Sequence, residues 1–182
     1  SLVAGRDHSF LIADTRIHEV PTAEELADIA SEAAQFARKF GHDPRVALLS
    51  FSNFGQPMRP HMQRIRDAVS ILEDRQVDFE FDGDMQAGVA LDYDLMQDVF
   101  PFCRLTGPAN VLVMPALHSA SISSNLMAAV GGGTVIGPIL VGLSKPIQIV
   151  PLGSSVNDLV NIAAFAAHDA IVADSQAHRA GF

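Results

Sequence analysis

The sequence lacks the features that mark secreted and membrane-spanning chains. It has one cysteine, Cys103, in 182 residues, so no internal disulfide can form, and a reducing compartment is expected. No apolar run approaches the roughly 18 residues of a membrane-spanning helix, because the run at 135–141 is short and contains Gly137 and Pro138. Nothing at its beginning resembles a signal peptide. We therefore expect a cytoplasmic chain with no membrane partner.

Positive charge is also scarce. Lysine and arginine total 12 against 21 aspartates and glutamates, which gives a formal net charge of −9. An acidic surface repels phosphate backbones, so we expect no nucleic-acid partner. A phosphate-bearing small molecule stays open, since a pocket can be locally positive on an acidic protein. The hydrophobic fraction of 48% is typical of an ordered globular chain.

The length of the chain fits one substantial core, or two small lobes that share a cleft. The chain begins at Ser1 and not at a methionine, so we expect a piece of a longer polypeptide, a processed chain or an artificial boundary.

Apolar strands alternate with helices along the chain, which is typical of an α/β fold with a parallel or mixed sheet. Thr22 and Glu25 form a capping-box pattern that predicts the beginning of a helix over 22–40. Further helices are predicted at 61–73, 91–99 and 122–130 and after Ser155, and strands at 10–13, 46–51, 77–81, 109–114 and 146–150. Gly83 is expected to break the strand pattern that precedes it. Ligands of such sheets bind beyond the carboxyl ends of the strands, here the loops at 52–57, 115–121 and 151–155.

Several motifs have both a chemical and a structural explanation. The glycines at 131–133 follow a helix and lack Walker spacing, so we interpret them as a helix end and turn. The acidic pairs at 82/84 and 92/94 do not continue into a calcium-binding loop, and the seven histidines show no zinc spacing, so no metal site is predicted. His118 lies in a candidate cleft loop, where a polar loop role is favoured. Cys103 lies in an apolar run and is expected to be packed and unreactive.

Ser154, Ser155 and Asp158 precede or begin the last predicted helix. One interpretation is an N-cap with an acidic residue favoured by the helix dipole. The other is a site for an anion or acyl group at the beginning of that helix. The residues alone leave these two interpretations open.

The order of five segments resembles the phosphate acetyl/butyryltransferase family. They are 48–52 (Leu-Leu-Ser-Phe-Ser), 82–86 (Asp-Gly-Asp-Met-Gln), 107–115 (Gly-Pro-Ala-Asn-Val-Leu-Val-Met-Pro), 137–146 (Gly-Pro-Ile-Leu-Val-Gly-Leu-Ser-Lys-Pro) and 156–161 (Val-Asn-Asp-Leu-Val-Asn). The resemblance covers about residues 14–170. It implies a three-layer α/β/α, isocitrate dehydrogenase-like architecture, of which this chain is the second half. Residues 1–145 would form the second lobe, and a strand and helix in 146–182 would return to a mostly absent first lobe.

The departures from the family pattern fall on its catalytic residues. Active members carry Asn-Asp-Leu-Ser-Arg-Gly where Pro151 takes the place of the serine and Leu152 that of the arginine. Segment 116–121 reads Ala-Leu-His-Ser-Ala-Ser where the family has Asp-Leu-Asn-x-Gly-Asn, and Ala129 replaces a helix arginine. The family aspartate of the last helix matches Asp158. No catalytic residue is therefore predicted.

This combination resembles the C-terminal phosphotransacetylase-like domain of bacterial hybrid malic enzymes. The resemblance implies an acetyl-CoA-binding allosteric domain without acetyltransferase activity and without a cofactor of its own. NADP and a divalent metal would belong to a malic-enzyme catalytic domain in the same polypeptide, which converts malate to pyruvate, CO2 and NADPH.

The predicted acyl-CoA lining comes from the position of the family cleft. One wall is Ser52, Asn53 and Gly55; the opposite wall is Gly137, Pro138, Pro151, Leu152 and Gly153, with Asp158 nearby. Ordinary turn roles for these residues stay open.

Two alternatives to an acetyl-CoA-binding domain without acetyltransferase activity remain. One is an active phosphate acyltransferase that interconverts acyl-CoA and acyl phosphate. The other is mainly an oligomerisation module, since the family implies a homo-oligomer, with the helix at 22–40 as an example of an isologous contact.

Overall fold

The computed structural model describes residues 1–5, 8–57, 59–130 and 133–180. The strands are β1 (Leu2–Gly5), β2 (Ser9–Ala13), β3 (Arg45–Leu49), β4 (Glu80–Met85), β5 (Val111–Val113) and β6 (Gly133–Ile136). The helices are α1 (Ala23–Lys39), α2 (Pro60–Asp74), α3 (Ala87–Leu91), α4 (Tyr93–Val99), α5 (Leu117–Val130) and α6 (Val156–Ala180). No helix in these ranges is long and apolar enough to cross a membrane.

The strands form one mixed sheet in the order β4-β3-β5-β2-β1-β6. β4, β3, β5 and β2 pair in parallel, whereas β1 pairs antiparallel with both β2 and β6. All three residues of β5 are buried, since this strand has a neighbour on each side and helices over both faces. The continuous apolar runs at β3 and β5 are the pattern that such double coverage produces.

Alternate residues of β3 face two different cores. Val46 and Leu48 pack with α1 and α2 in one cluster, while Ala47 and Leu49 pack with α3, α4 and α5 in the other. The sheet therefore lies between two helical layers, which confirms the predicted three-layer α/β/α architecture.

The capping box of α1 is present. The Glu25 amide donates to Thr22 Oγ1 at 3.2 Å, and the Thr22 amide donates to Glu25 Oε2 at 2.7 Å. The apolar face of α1, which includes Leu26 and Ala30, is buried in the first cluster. It is therefore not available for the contact between copies that was suggested for this helix.

Two local predictions were wrong. Segment 146–150 is irregular, because its side chains do not enter the sheet: Ile147 and Ile149 are more than half exposed, and Gln148 bonds through its amide to the backbone of Leu140. Gly83 lies inside β4 instead of ending it. A Cβ at position 83 would lie 2.8 Å from the Leu48 carbonyl oxygen, so the close approach of β3 requires glycine there.

α6 packs back on α1. The ring of Phe165 lies 5.1 Å from that of Phe40 and 6.0 Å from that of Phe36, and Lys39 Nζ lies 2.5 Å from Asp169 Oδ1. The predicted last helix is thus confirmed, whereas the division of the chain at residue 145 stays a prediction.

Candidate functional site

A cavity of about 380 Å³ lies where α5, the end of β6 and the beginning of α6 meet. It contains five of the nine predicted ligand-binding residues: Gly137, Pro138, Pro151, Gly153 and Asp158. Its polar lining also includes Arg16, Ser121, Ser124, Asn125 and Ser154. The structure thus brings together segments that are more than 100 residues apart in the chain.

Asp158 caps the beginning of α6. Its Oδ2 accepts hydrogen bonds from the Ser155 amide at 2.9 Å and from Ser155 Oγ at 2.7 Å, and the Asp158 amide donates to Ser155 Oγ at 3.2 Å. The side-chain hydrogen bond from Ser155 holds the pKa of Asp158 below its usual value. A carboxylate at this position offsets the positive end of the helix dipole. The helix end alone therefore does not supply a cation.

The two residues that replace the family serine and arginine present no reactive group. Pro151 lines the cavity with a ring that has no hydroxyl and no backbone N–H. Leu152 is fully exposed and does not line the cavity. Gly153 lies beside open space, with no heavy atom within 4 Å of a Cβ built there. Room for a ligand or for a larger side chain therefore exists at position 153.

Ser52, Asn53 and Gly55 lie elsewhere. Ser52 Oγ donates to Asp84 Oδ2, the Gly55 amide donates to Asp84 Oδ1 at 2.9 Å, and Asn53 Oδ1 accepts from the Gln86 amide. These residues follow β3, and three strands separate β3 from β6 in the sheet, which is roughly 19 Å at the usual strand spacing. They do not line the cavity, and their part in ligand binding stays a prediction.

Three of the four acidic side chains in the pairs 82/84 and 92/94 accept hydrogen bonds from the protein. Asp82 accepts from the Arg104 amide at 2.8 Å and from Arg104 Nη2 at 3.1 Å, and Asp92 caps α4 through the Leu95 amide. No group of three or more metal-ligating side chains occurs in the described part of the chain. Burial raises the pKa of the Cys103 thiol to about 11, which keeps it protonated and unreactive near neutral pH.

Sequence reasoning missed Arg16. It lies in a turn after β2, where the Asp14 carboxylate accepts from the amides of Arg16, Ile17 and His18 and from His18 Nδ1. Burial raises the pKa of Asp14, but the hydrogen bonds, led by the Arg16 amide, outweigh it and hold the pKa below the usual value. The sequence signal that could have indicated this turn is an aspartate directly after a strand, since an aspartate side chain often accepts hydrogen bonds from the backbone amides that follow it.

A second cavity of about 420 Å³ shares Ser1, Thr15, Arg16 and Pro138 with the first. Most of its lining is apolar and comes from β2, α1 and the segment 138–143. Arg16 therefore lies between a mainly apolar cavity and a more polar one.

Comparison with known proteins agrees with the architecture. A family model described as "Phosphate acetyl/butaryl transferase" matches residues 1–167. The chain superimposes on a phosphotransacetylase from Streptococcus pyogenes with a TM-score of 0.87 and 34% identity, covering 93% of this chain and 52% of that one.

Two relatives that match this chain carry the names of different enzymes. The chain is 54% identical to the NADP-dependent malic enzyme of Rhizobium meliloti over 93% of its own length, but spans only 22% of that protein. It is 40% identical to the phosphate acetyltransferase of Treponema pallidum over 83% of its length and spans 46% of that protein. With a family model that matches nearly the whole chain, this protein belongs to the phosphate acetyl/butyryltransferase family.

Proposed function

We propose that this chain is an acetyl-CoA-binding regulatory domain of an NADP-dependent malic enzyme and does not itself transfer acyl groups. The observation that carries the proposal is the cavity at the beginning of α6, which has a polar lining and room for a ligand but holds Pro151 where the family has serine. The identity of 54% with a malic enzyme supports the context.

The chemistry of acyl transfer explains why catalysis is not proposed. Attack of a thiolate on acetyl phosphate requires cations near the phosphoryl oxygens and donors where negative charge develops. Pro151 supplies no donor, and the exposed isobutyl group of Leu152 supplies no charge. Binding of acetyl-CoA, in contrast to acyl transfer, does not require a serine at position 151 or an arginine at position 152. The cavity is thus suited to sensing a ligand.

The rest of the polypeptide is part of the proposal. NADP and a divalent metal would bind to a malic-enzyme domain in the same chain, in the cytoplasm, and residues 146–182 would contact a first lobe. The exposed apolar side chains of Ile147, Ile149, Leu152 and Val156 support such a contact, because a large apolar patch is uncommon on a monomer surface. Allostery then requires acetyl-CoA to bind two arrangements of the protein with unequal affinity.

A Gly153→Phe substitution tests the proposed cavity. Position 153 has open space for a Cβ, so the aromatic ring is expected to occupy the cavity without disturbing the core. Acetyl-CoA is expected to bind to the unsubstituted full polypeptide and to change its rate of malate decarboxylation. The substitution is expected to weaken binding at least about tenfold, measured by calorimetry.

Gly88→Phe is the matched control, because position 88 also faces open space but lies in α3, away from the cavity. It is expected to leave acetyl-CoA binding unchanged. The proposal fails if acetyl-CoA does not bind to the full polypeptide, or if it binds without any effect on malate kinetics. Equal affinities of the two glycine variants would place the ligand outside this cavity.

Self-association is a second candidate function, and the exposed face of α5 favours it. Ile122, Leu126 and Val130 recur every four residues and are each at least 60% exposed. An apolar ridge of this kind is suited to an isologous contact with a second copy.

Leu126→Ser is expected to convert a dimer of the chain to a monomer at micromolar concentration, as measured by sedimentation. Leu95→Ser, on the partly exposed face of α4, is the control and is expected to leave the dimer intact. A monomer before any substitution contradicts this function.

A further inference from the structure

Arg16 is the cation of the cavity at the beginning of α6. Among the described lining residues, the other charged side chain is Asp158, which Ser155 already engages. The remaining polar lining consists of hydroxyl and amide groups, namely those of Thr15, Ser121, Ser124, Asn125 and Ser154. The cavity therefore has one cationic side chain, one carboxylate that already accepts from Ser155, and neutral donors around a solvent-accessible space. The terminal amine of Ser1 also lines it, but burial lowers the pKa of this amine to about 6, so it is mostly uncharged at neutral pH.

The guanidinium of Arg16 is not committed to the protein. Arg38 is paired with Asp78, Arg75 with Asp28, and Arg104 with Glu73 and Asp82. Within the described residues, the Arg16 guanidinium has no ion pair and no hydrogen bond; only its backbone amide is bonded, to Asp14. Its donors are therefore free for a ligand. An arginine presents five N–H groups in a planar fork that matches phosphate oxygens.

The backbone that carries Arg16 is held in place. Asp14 Oδ1 accepts from the Arg16 amide at 2.7 Å, and Asp14 Oδ2 accepts from the His18 amide at 2.9 Å and from His18 Nδ1 at 2.8 Å. Thr15, which lies between Asp14 and Arg16 in the chain, is buried. Because the turn is ordered before a ligand arrives, less conformational entropy is lost on binding.

The position of Arg16 between the two cavities matches a ligand with two different parts. The neighbouring cavity shares Arg16 with the first, and most of its lining residues are apolar, from β2, the segment 138–143 and one part of α1. Asp14 and the α1 carboxylates of Glu25, Asp28 and Glu32 also line it, so a phosphate is disfavoured there and favoured on the side of the first cavity. A charged group held at Arg16 would leave the uncharged part of the same ligand beside apolar walls.

We propose that Arg16 binds a phosphate group of the ligand and thereby supplies the positive charge that position 152 lacks in this chain. The inference rests on the proposed function in that the ligand is an acyl-CoA, whose phosphates distinguish it from an uncharged thioester. Arg16 acts in binding and orientation, and no acyl transfer follows from it.

The test is calorimetry on the full polypeptide with three probes: acetyl-CoA, the phosphate-free thioester acetyl-pantetheine, and inorganic pyrophosphate. Arg16→Gln is expected to raise the Kd for acetyl-CoA about tenfold, the effect of one charge-assisted contact partly screened by solvent. Binding of acetyl-pantetheine is expected to be unchanged. Arg16→Lys is expected to recover part of the affinity, since it keeps the charge but loses the fork.

Arg59→Gln is the matched control, because Arg59 is also exposed, has no side-chain hydrogen bond at the beginning of α2 and lines neither cavity. It removes the same charge and is expected to leave every Kd unchanged. Thermal unfolding of both variants checks that they fold equally well.

The outcomes separate this inference from the proposed function. Tight acetyl-CoA binding that Arg16→Gln does not weaken overturns the role of Arg16 and leaves the regulatory domain standing. Pyrophosphate binding that depends on Arg16, without acetyl-CoA binding, supports the phosphate site and overturns the acyl-CoA proposal. Equal weakening of acetyl-CoA and acetyl-pantetheine contradicts phosphate recognition. Binding of none of the probes overturns both.

Discussion

Acetyl phosphate and CoA are expected to form acetyl-CoA no faster in the presence of the full polypeptide than in buffer. Loss of one group that stabilises developing charge typically costs about 100- to 1000-fold in rate. In this chain, Pro151 and Leu152 stand where the family pattern has serine and arginine, and Leu152 is fully exposed. Arg16 does not restore the reaction, because binding substrate without stabilising the transition state more strongly does not accelerate the chemical step.

The measurement is the appearance of the thioester by its absorbance, with the phosphate acetyltransferase of Treponema pallidum as the positive control. That protein is 40% identical to this chain over 154 residues, so its activity shows what the assay detects on the same fold. If the full polypeptide forms acetyl-CoA much faster than the reaction in buffer, and Gly153→Phe removes this activity, the proposal that the domain does not transfer acyl groups is contradicted. This result would favour the acyltransferase alternative.

Asp84→Ala is expected to reduce the free energy of unfolding of the chain by about 3 kcal/mol. The Asp84 side chain is completely buried in β4, and its two oxygens accept from Ser52 Oγ and from the Gly55 amide. Removing the carboxylate leaves these buried donors unsatisfied and leaves a cavity beside them. In a domain of this size the loss corresponds to a decrease in Tm of roughly 6–12 °C.

Asp98→Ala is the control, since Asp98 lies exposed on α4 and the substitution removes the same charge. Urea unfolding of both variants measures the difference. Equal stability of Asp84→Ala and Asp98→Ala would show that the buried hydrogen bonds contribute little.

The elements of the fold that local signals encode were predicted well. The capping box at Thr22 and Glu25 begins α1 as expected, because the two hydrogen bonds join residues only three apart. The apolar runs that became β3 and β5 were recognised because strands covered on both faces admit few polar residues. The strand predicted at 146–150 failed, since an apolar pattern does not say whether a neighbouring strand will be present.

The candidate site was predicted in part. Pro151, Gly153 and Asp158 were expected near one another because they are close in the chain, and they do line one cavity. Arg16 was missed, because it reaches that cavity only after β2 and β1 are placed beside β6. The loop at 52–57 was expected at the same site, but the order of strands in the sheet puts it elsewhere.

By itself, the sequence determined the α/β class, the family, and the chemical content of the segment at 151–158. These properties depend on residue types, their spacing and their order, which folding does not change. Only the tertiary structure decided that the acidic pair at 82/84 is satisfied by protein donors and that Arg16 joins Asp158 around one cavity. Both outcomes depend on contacts between residues far apart in the chain, and the packing of strands and helices sets those contacts. The residue types of the turn at 151–155 explain why it has no catalytic side chain, whereas only the fold places the positive charge of Arg16 at the same cavity.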